Sequence, residues 1–274
     1  MLDKRLLAEK ALEIRLDTLK MIHLAGSGHP GGSLSEIEIL TYLYFHKMRI
    51  DPQNSGWEMR DRFVLSKGHC CPPLYAALAG RGYFDRDILW TLRAEDSILQ
   101  GHPDMKKTPG IDMTTGSLGQ GLSVAAGMAK GAKITGSDFH VYVLVGDGEI
   151  QSGQIWEAAM AAGYYELDNL TMIIDNNGLQ CDGAVSQIMD VDPIADKFKA
   201  FRWDVFEADG HCFESLDSAF EQAGKRNGRP KAIIANTTKG KGVSYMENNC
   251  EWHGKPLSDS ELDAALQELR GERQ

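Results

Sequence analysis

Residues 141–183, VYVLVGDGEIQSGQIWEAAMAAGYYELDNLTMIIDNNGLQCDG, carry the reading of the fold. VYVLV is an apolar run of strand length, closed by the tight turn Gly146-Asp147-Gly148. Ile155, Ala158, Ala159, Ala162 and Tyr165 then recur at helical spacing, and LTMII gives a second buried strand ending in Asp175-Asn176-Asn177. One crossover helix between parallel strands brings both strand ends to the same rim of the sheet, where ligands of such sheets collect. Asp147 and Asn177 are therefore expected to meet on that rim.

The pair suits a small hard cation. Magnesium takes oxygen ligands octahedrally and is usually held by one or two protein oxygens plus phosphates and water. Asp147 offers a carboxylate, Asn177 an amide oxygen, and the carbonyl of Leu179 a third donor, with a diphosphate to complete the shell. Gly146 and Gly148 let the backbone approach those phosphates with no Cβ in the way.

Outward from this segment, strand and helix patterns alternate. A helix is expected over residues 3–25, where Leu6, Leu7, Ala11, Ile14, Leu19 and Ile22 fall near helical spacing, with a stop at Gly26. SGHPGG (27–32) reads as a glycine-rich loop around His29, and a helix is expected over 35–48. DRFVLSKGH (61–69) reads as a short strand and a polar turn ending in His69. Residues 71–81 and 85–94 read as helical, and LQGHPD (99–104) as a turn holding His102. Residues 111–133 form a glycine-rich turn running into a small-residue helix, and Gly116-Ser117-Leu118 would lie along a flat ligand. A short helix over 193–201, a strand over 202–210 and a helix over 213–226 follow. Residues 230–242 read as a strand ending in a basic turn that carries Lys239, and EWHGKPL, with His253, leads to a helix over 258–274. The alternation predicts a doubly wound, mostly parallel α/β sheet flanked by helices, with residues 1–274 as a single domain.

Composition narrows the function classes. A chain of 274 residues buries about three quarters of its unfolded surface. A formal net charge of −10 and a pI of about 5.3 argue against nucleic acid or an acidic membrane surface as partner. No apolar run reaches the length of a membrane span, and MLDKRLLAEK lacks a signal-peptide core. The five cysteines show neither a disulfide framework nor zinc-site spacing, which fits reduced thiols in a cytoplasmic protein. Four of the eight histidines, His29, His69, His102 and His253, stand in Gly/Pro turns. Together with a metal–diphosphate motif they point to a site that handles protons.

GDG followed about thirty residues later by NN resembles the thiamine diphosphate motif. SGHPGG, SKGH, GHPD, TTGSLGQG and the terminal HG occur in the order and rough spacing of the amino-terminal half of the transketolase family, and the resemblance covers nearly the whole chain. It implies Asp147, Asn177 and the Leu179 carbonyl as ligands of magnesium, or of calcium or manganese in its place. It implies Gly148 and Glu149 as the backbone bed of the diphosphate, and Gly116, Ser117 and Leu118 as the loop beside the aminopyrimidine. Lys239 falls where the family places a cofactor-contacting side chain. His69 and His253 resemble the histidines on the diphosphate side; His29, His102 and His253 resemble those that hold ketose hydroxyls and move protons.

Two departures stand out. Ser152 occupies a position where the family commonly has a glutamate that meets a carboxylate across a subunit interface. The chain also ends at Gln274, before the pyrimidine-binding domain of a full-length transketolase. The resemblance thus implies the amino-terminal subunit of a split transketolase, active with a carboxy-terminal subunit in an α2β2 heterotetramer. It would transfer a two-carbon ketol unit between sugar phosphates, a reaction of the pentose phosphate pathway. Alternatives are the alpha subunit of a 2-oxoacid dehydrogenase decarboxylating component, a transketolase subunit specialised for a branched or sulfonated sugar phosphate, and a non-catalytic module that keeps the cofactor fold.

Overall fold

Five strands form one parallel sheet, and their residues explain why it is buried on both faces. In the computed structural model, which describes residues 2–271, these are β1 (Arg62–Leu65), β2 (Val141–Gly146), β3 (Leu170–Asn176), β6 (Asp204–Asp209) and β7 (Lys231–Asn236). The strand order is β1-β2-β3-β7-β6, and every neighbouring pair is parallel. A small antiparallel ribbon of β4 (Leu179–Gln180) and β5 (Gly183–Ala184) stands apart. Successive side chains of a strand point to opposite faces. Accordingly Tyr142, Leu144, Ile173, Ile233 and Ala235 enter one core, and Val141, Val143, Val145, Met172, Ile174, Ala232 and Ile234 enter the other.

Helices cover both cores. On the first face pack α1 (Lys4–Leu24), α3 (Ile37–Tyr42), α4 (Pro72–Arg81) and α9 (Phe213–Ala223). The short α2 (Pro30–Ser35) precedes α3, and α10 (Asp259–Leu269) lies against α1. On the second face pack α5 (Gln120–Thr135), α6 (Gly153–Tyr164) and α8 (Ile194–Ala200), while α7 (Val185–Ile188) follows the ribbon. The register sets Gly146 beside Asp175 and Asn176 beside Asn236, so the carboxyl ends of β2, β3 and β7 make one rim. No described helix is long and apolar enough to cross a membrane.

The structure corrects several local expectations. SGHPGG is not a loop throughout: His29 is the N-cap of α2 and Pro30 its first residue, a position where the missing N–H costs nothing. Gly31 and Gly32 serve close packing, since a Cβ on Gly31 would stand 2.9 Å from the Trp252 carbonyl oxygen and one on Gly32 2.7 Å from Cys70 Sγ. The helix expected over 35–48 is α3 continued by a wider turn, Leu43–Lys47. The helix expected over 85–94 is a tighter 3₁₀ stretch, Arg86–Thr91. The last helix begins under a capping box of Ser258 and Glu261; residues 272–274 of the expected span lie outside the described residues.

Gly163, near the end of α6, shows how closely the second face is packed. A Cβ there would lie 2.0 Å from the carbonyl oxygen of Phe201, and that atom is backbone that cannot swing away. Gly163→Ala should lower the urea midpoint by an amount equivalent to about 1–3 kcal/mol, the usual cost of overpacking. An unchanged midpoint would mean that this contact yields freely.

Candidate active site

A cleft of about 560 Å³ opens at the carboxyl rim of the sheet. It is lined by Asp147, Gly148, Asn177, Leu179, Lys239 and the rings of His29, His69 and His253, among others. Asp147 directly follows β2 and is buried. Its Oδ1 accepts from the Gly148 N–H at 2.7 Å and its Oδ2 from the Gly178 N–H at 2.6 Å. The second of these bonds folds the loop after β3 back upon the turn after β2, and within that loop Asn177 Oδ1 accepts from the Leu179 N–H at 3.1 Å. Burial first, and the nearby Asp175 second, push the Asp147 carboxyl up to about 6. A buried carboxylate whose hydrogen-bond partners are backbone N–H groups, beside an amide oxygen and a carbonyl, is a hard all-oxygen donor set that fits a divalent cation. Among the described residues no cluster of His, Cys, Asp or Glu competes with it as a metal site.

Glu149 turns its side chain inward. Its carboxylate accepts from the Ser66 hydroxyl, from the Gly119 N–H at 2.8 Å and from the Gly146 N–H at 3.1 Å. It thereby ties the ends of β1 and β2 to the loop that carries Gly116, Ser117 and Leu118. Lys239 is buried, with Nζ donating to the Leu179 carbonyl at 3.1 Å and lying 3.0 Å from His253 Nδ1. An ammonium only donates, so His253 accepts at Nδ1 and carries its proton on Nε2.

Three imidazoles converge on the cleft. The His29 and His69 ring centroids are 4.9 Å apart, His29 and His253 5.5 Å, and His69 and His253 5.4 Å. His29 Nδ1 is buried and has no hydrogen-bond partner among the described residues. Burial, followed by the field of His69 and Arg93, lowers His29 to about 4. Burial and Lys67 lower His69 to about 4, and burial and Lys239 lower His253 to about 3. All three are neutral at pH 7, the form able to donate from one nitrogen and accept at the other. His102 is exposed over most of its surface; the desolvation of the ring side turned to the protein, followed by the field of His69 and Arg93, shifts it downward as well. A Cβ on Gly116 would lie 3.2 Å from its ring, so His102 adjoins the cleft through Gly116. Ser117 is exposed, and Leu118 is 45% exposed on the cleft wall.

Sequence reasoning missed the charges beneath the cleft. Lys67, fully buried at the end of β1, reaches Asp175 Oδ2 at 2.5 Å, Glu36 Oε2 at 2.8 Å and the Gly32 carbonyl at 3.0 Å. Burial opposes the ammonium, but Asp175 and Glu36 hold it well above the ordinary lysine range. Asp175 also accepts from Ser35, Thr237 and Asn177, and although burial works against its charge, Lys67 keeps its carboxyl below the usual range. One cation cannot neutralise two carboxylates, and burial pushes Glu36 well above the usual range. The one available signal was a lysine two residues beyond a short strand that ends in Phe63-Val64-Leu65.

Residues 7–272 match the family described as transketolase, thiamine diphosphate binding domain. The chain belongs to the transketolase family. It is the amino-terminal, thiamine diphosphate-binding part of such an enzyme, as the motifs implied, and the 2-oxoacid dehydrogenase alternative is not favoured. It is 48% identical to the 6-deoxy-6-sulfo-D-fructose transketolase subunit SqwG of Clostridium sp. (strain MSTE9), covering 97% of each chain. It is 44% identical to an apulose-4-phosphate transketolase subunit of Phocaeicola vulgatus, covering 92% of this chain and 89% of that one. The transketolase of Campylobacter jejuni superposes with a TM-score of 0.92 at 33% identity, over 98% of this chain and 43% of that one. The chain thus spans less than half the length of that transketolase.

The neutral histidines set a pH dependence. An unfolded histidine takes up a proton near pH 6.5, whereas folded His29 and His69 do so only near 4 and His253 near 3. At these three positions the unfolded chain binds more protons between pH 6.5 and about 4, so they cost stability as pH falls through that window, while the raised Asp147 and Glu36 carboxyls act in the opposite sense. The combined change His29→Asn and His253→Asn should therefore make the melting temperature of the cofactor-free chain fall less, or rise more, between pH 6.5 and about 4 than in the wild type; an unaltered slope would contradict the assignment.

Proposed function

We propose that this chain, as one domain, binds the diphosphate end of thiamine diphosphate with magnesium and works as half of a two-subunit transketolase. The observation that carries the reading is the convergence of Asp147, Asn177, Leu179 and Lys239 with three neutral histidines on one cleft. Asp147, Asn177 and the Leu179 carbonyl would hold the metal, and Gly148 and the Glu149 backbone would bed the diphosphate. Lys239 would offset part of the diphosphate charge, with His69 and His253 beside it. Gly116, Ser117 and Leu118 would flank the aminopyrimidine. When bound, the cofactor supplies the carbanion chemistry that the amino acids lack.

The protein's share is proton transfer and orientation. The neutral ring of His29, with His102 at the entrance, can accept a proton from a substrate hydroxyl and return it to an oxygen. His253, whose Nδ1 is engaged by Lys239, donates from Nε2 and orients a substrate oxygen. The chain's close relatives include proteins named for a sulfonated ketose and for apulose 4-phosphate. Those names favour a ketose substrate with an anionic terminus and an uncommon skeleton, gripped in part by a carboxy-terminal subunit that brings the pyrimidine-binding domain. An α2β2 assembly in the cytoplasm is the arrangement that follows.

Two measurements test the reading. Asp147→Ala and Asn177→Ala should each abolish magnesium-dependent cofactor binding in calorimetry while leaving the circular dichroism spectrum intact; wild-type affinity in both would remove the metal assignment. The purified chain should show no ketol transfer by itself and gain it with a pyrimidine-domain subunit, His102→Ala then lowering turnover by about a hundredfold or more with cofactor affinity preserved. Full activity of the unaccompanied chain would overturn the two-subunit reading.

A further inference from the structure

Lys239 sits on a turn, residues 237–242, with glycines at positive φ at Gly240 and Gly242. The Thr237 N–H donates to the Asn176 carbonyl at 3.2 Å, the Gly240 N–H to the Gly31 carbonyl at 2.9 Å, and the Lys239 carbonyl accepts from the Asn248 N–H at 2.9 Å. Two further backbone groups, one on each side of Lys239, are bonded to side chains that share one buried carboxylate. The Thr238 N–H donates to His211 Nε2 at 2.8 Å, and the Lys241 carbonyl accepts from Arg15 Nε at 3.1 Å. His211 Nδ1 lies 2.9 Å from Glu38 Oε2, and Arg15 donates to Glu38 Oε1 at 2.6 Å. A backbone N–H can only donate, so His211 Nε2 is bare and the ring proton sits on Nδ1, facing Glu38. Glu38, on α3, and Arg15, on α1, are both buried. Neither Glu38, Arg15 nor His211 lines the cleft.

We propose that His211 is a positioning residue: seated against Glu38, and with Arg15 at the far side, its Nε2 fastens the 237–242 turn and so holds the Lys239 ammonium in the cleft. The proposal rests on the reading of Lys239 as a diphosphate contact and extends it to residues of α1, α3 and the β6–α9 turn. Truncating Glu38 would strand the Arg15 charge in the interior and endanger folding, so His211 is the residue to vary. Asn in its place keeps a donor near Glu38 but loses the acceptor for Thr238. Gln places an acceptor oxygen where Nε2 stands.

In the full chain, His211→Asn should speed hydrogen exchange of the backbone over 237–242 and weaken magnesium–thiamine diphosphate binding, each by about tenfold, the worth of one well-placed hydrogen bond. His211→Gln should restore both. In a Lys239→Ala background His211→Asn should cost no further affinity, since the two changes act through one contact. Equal losses with and without Lys239, or an unaltered exchange rate in His211→Asn, would overturn the proposal. A Lys239→Ala chain that binds cofactor like wild type would instead fault the diphosphate contact itself, and that result is separate from the exchange measurement.

Discussion

The buried contact of Lys67 with Asp175 is the interaction on which the cleft depends. It joins the end of β1 to the end of β3 directly below the loops that carry Asp147 and Asn177, and it draws in the Gly32 carbonyl and Glu36 from the segment after His29. Removing one partner of such a pair costs about 3–5 kcal/mol, because the other is left charged in the interior. The floor of the site is therefore fixed by electrostatics before any ligand arrives. Asp175 spreads the constraint further: its bonds to Ser35, Thr237 and Asn177 fasten α2, the turn after β7 and the proposed metal loop to the same carboxylate.

The histidines show the complementary principle. Their neutrality comes first from burial and then from the positive neighbours Lys67, Lys239 and Arg93, so charge placed for one purpose tunes groups that serve another. Lys239 joins the two roles, since it touches both the Leu179 carbonyl and the His253 ring.

Much of this could be read in the amino acids. Apolar runs closed by Gly146-Asp147-Gly148 and Asp175-Asn176-Asn177 located the rim because a parallel sheet buried on both faces leaves a period-independent signal. What escaped notice was of two kinds. Glu36 and Glu38 lie in a stretch read as a helix, where a carboxylate suggests a solvated face; their partners Lys67 and His211 are distant in sequence, and no local pattern encodes them. Gly31 and Gly32 suggested a flexible loop, whereas they permit Trp252, Lys239 and Cys70 to approach a short helix closely. Helix propensity counts the entropic cost of glycine and is blind to the space it leaves for a neighbour.

The cleft's two buried lysines sit inside a molecule whose formal net charge is −10, and Lys67 is already matched by Asp175 and Glu36. At a distance, an anionic cofactor meets a repelling field; inside the cleft it meets the Lys239 ammonium at short range. Dissolved ions screen the outer field over about 8 Å at physiological ionic strength, but they reach the enclosed ammonium groups far less. Added salt should thus quicken the encounter by removing a long-range barrier, while the attraction that retains the bound anion persists. Capture and retention in this protein answer oppositely to the medium, a separation of rate from affinity that arises from where its few interior cations are placed.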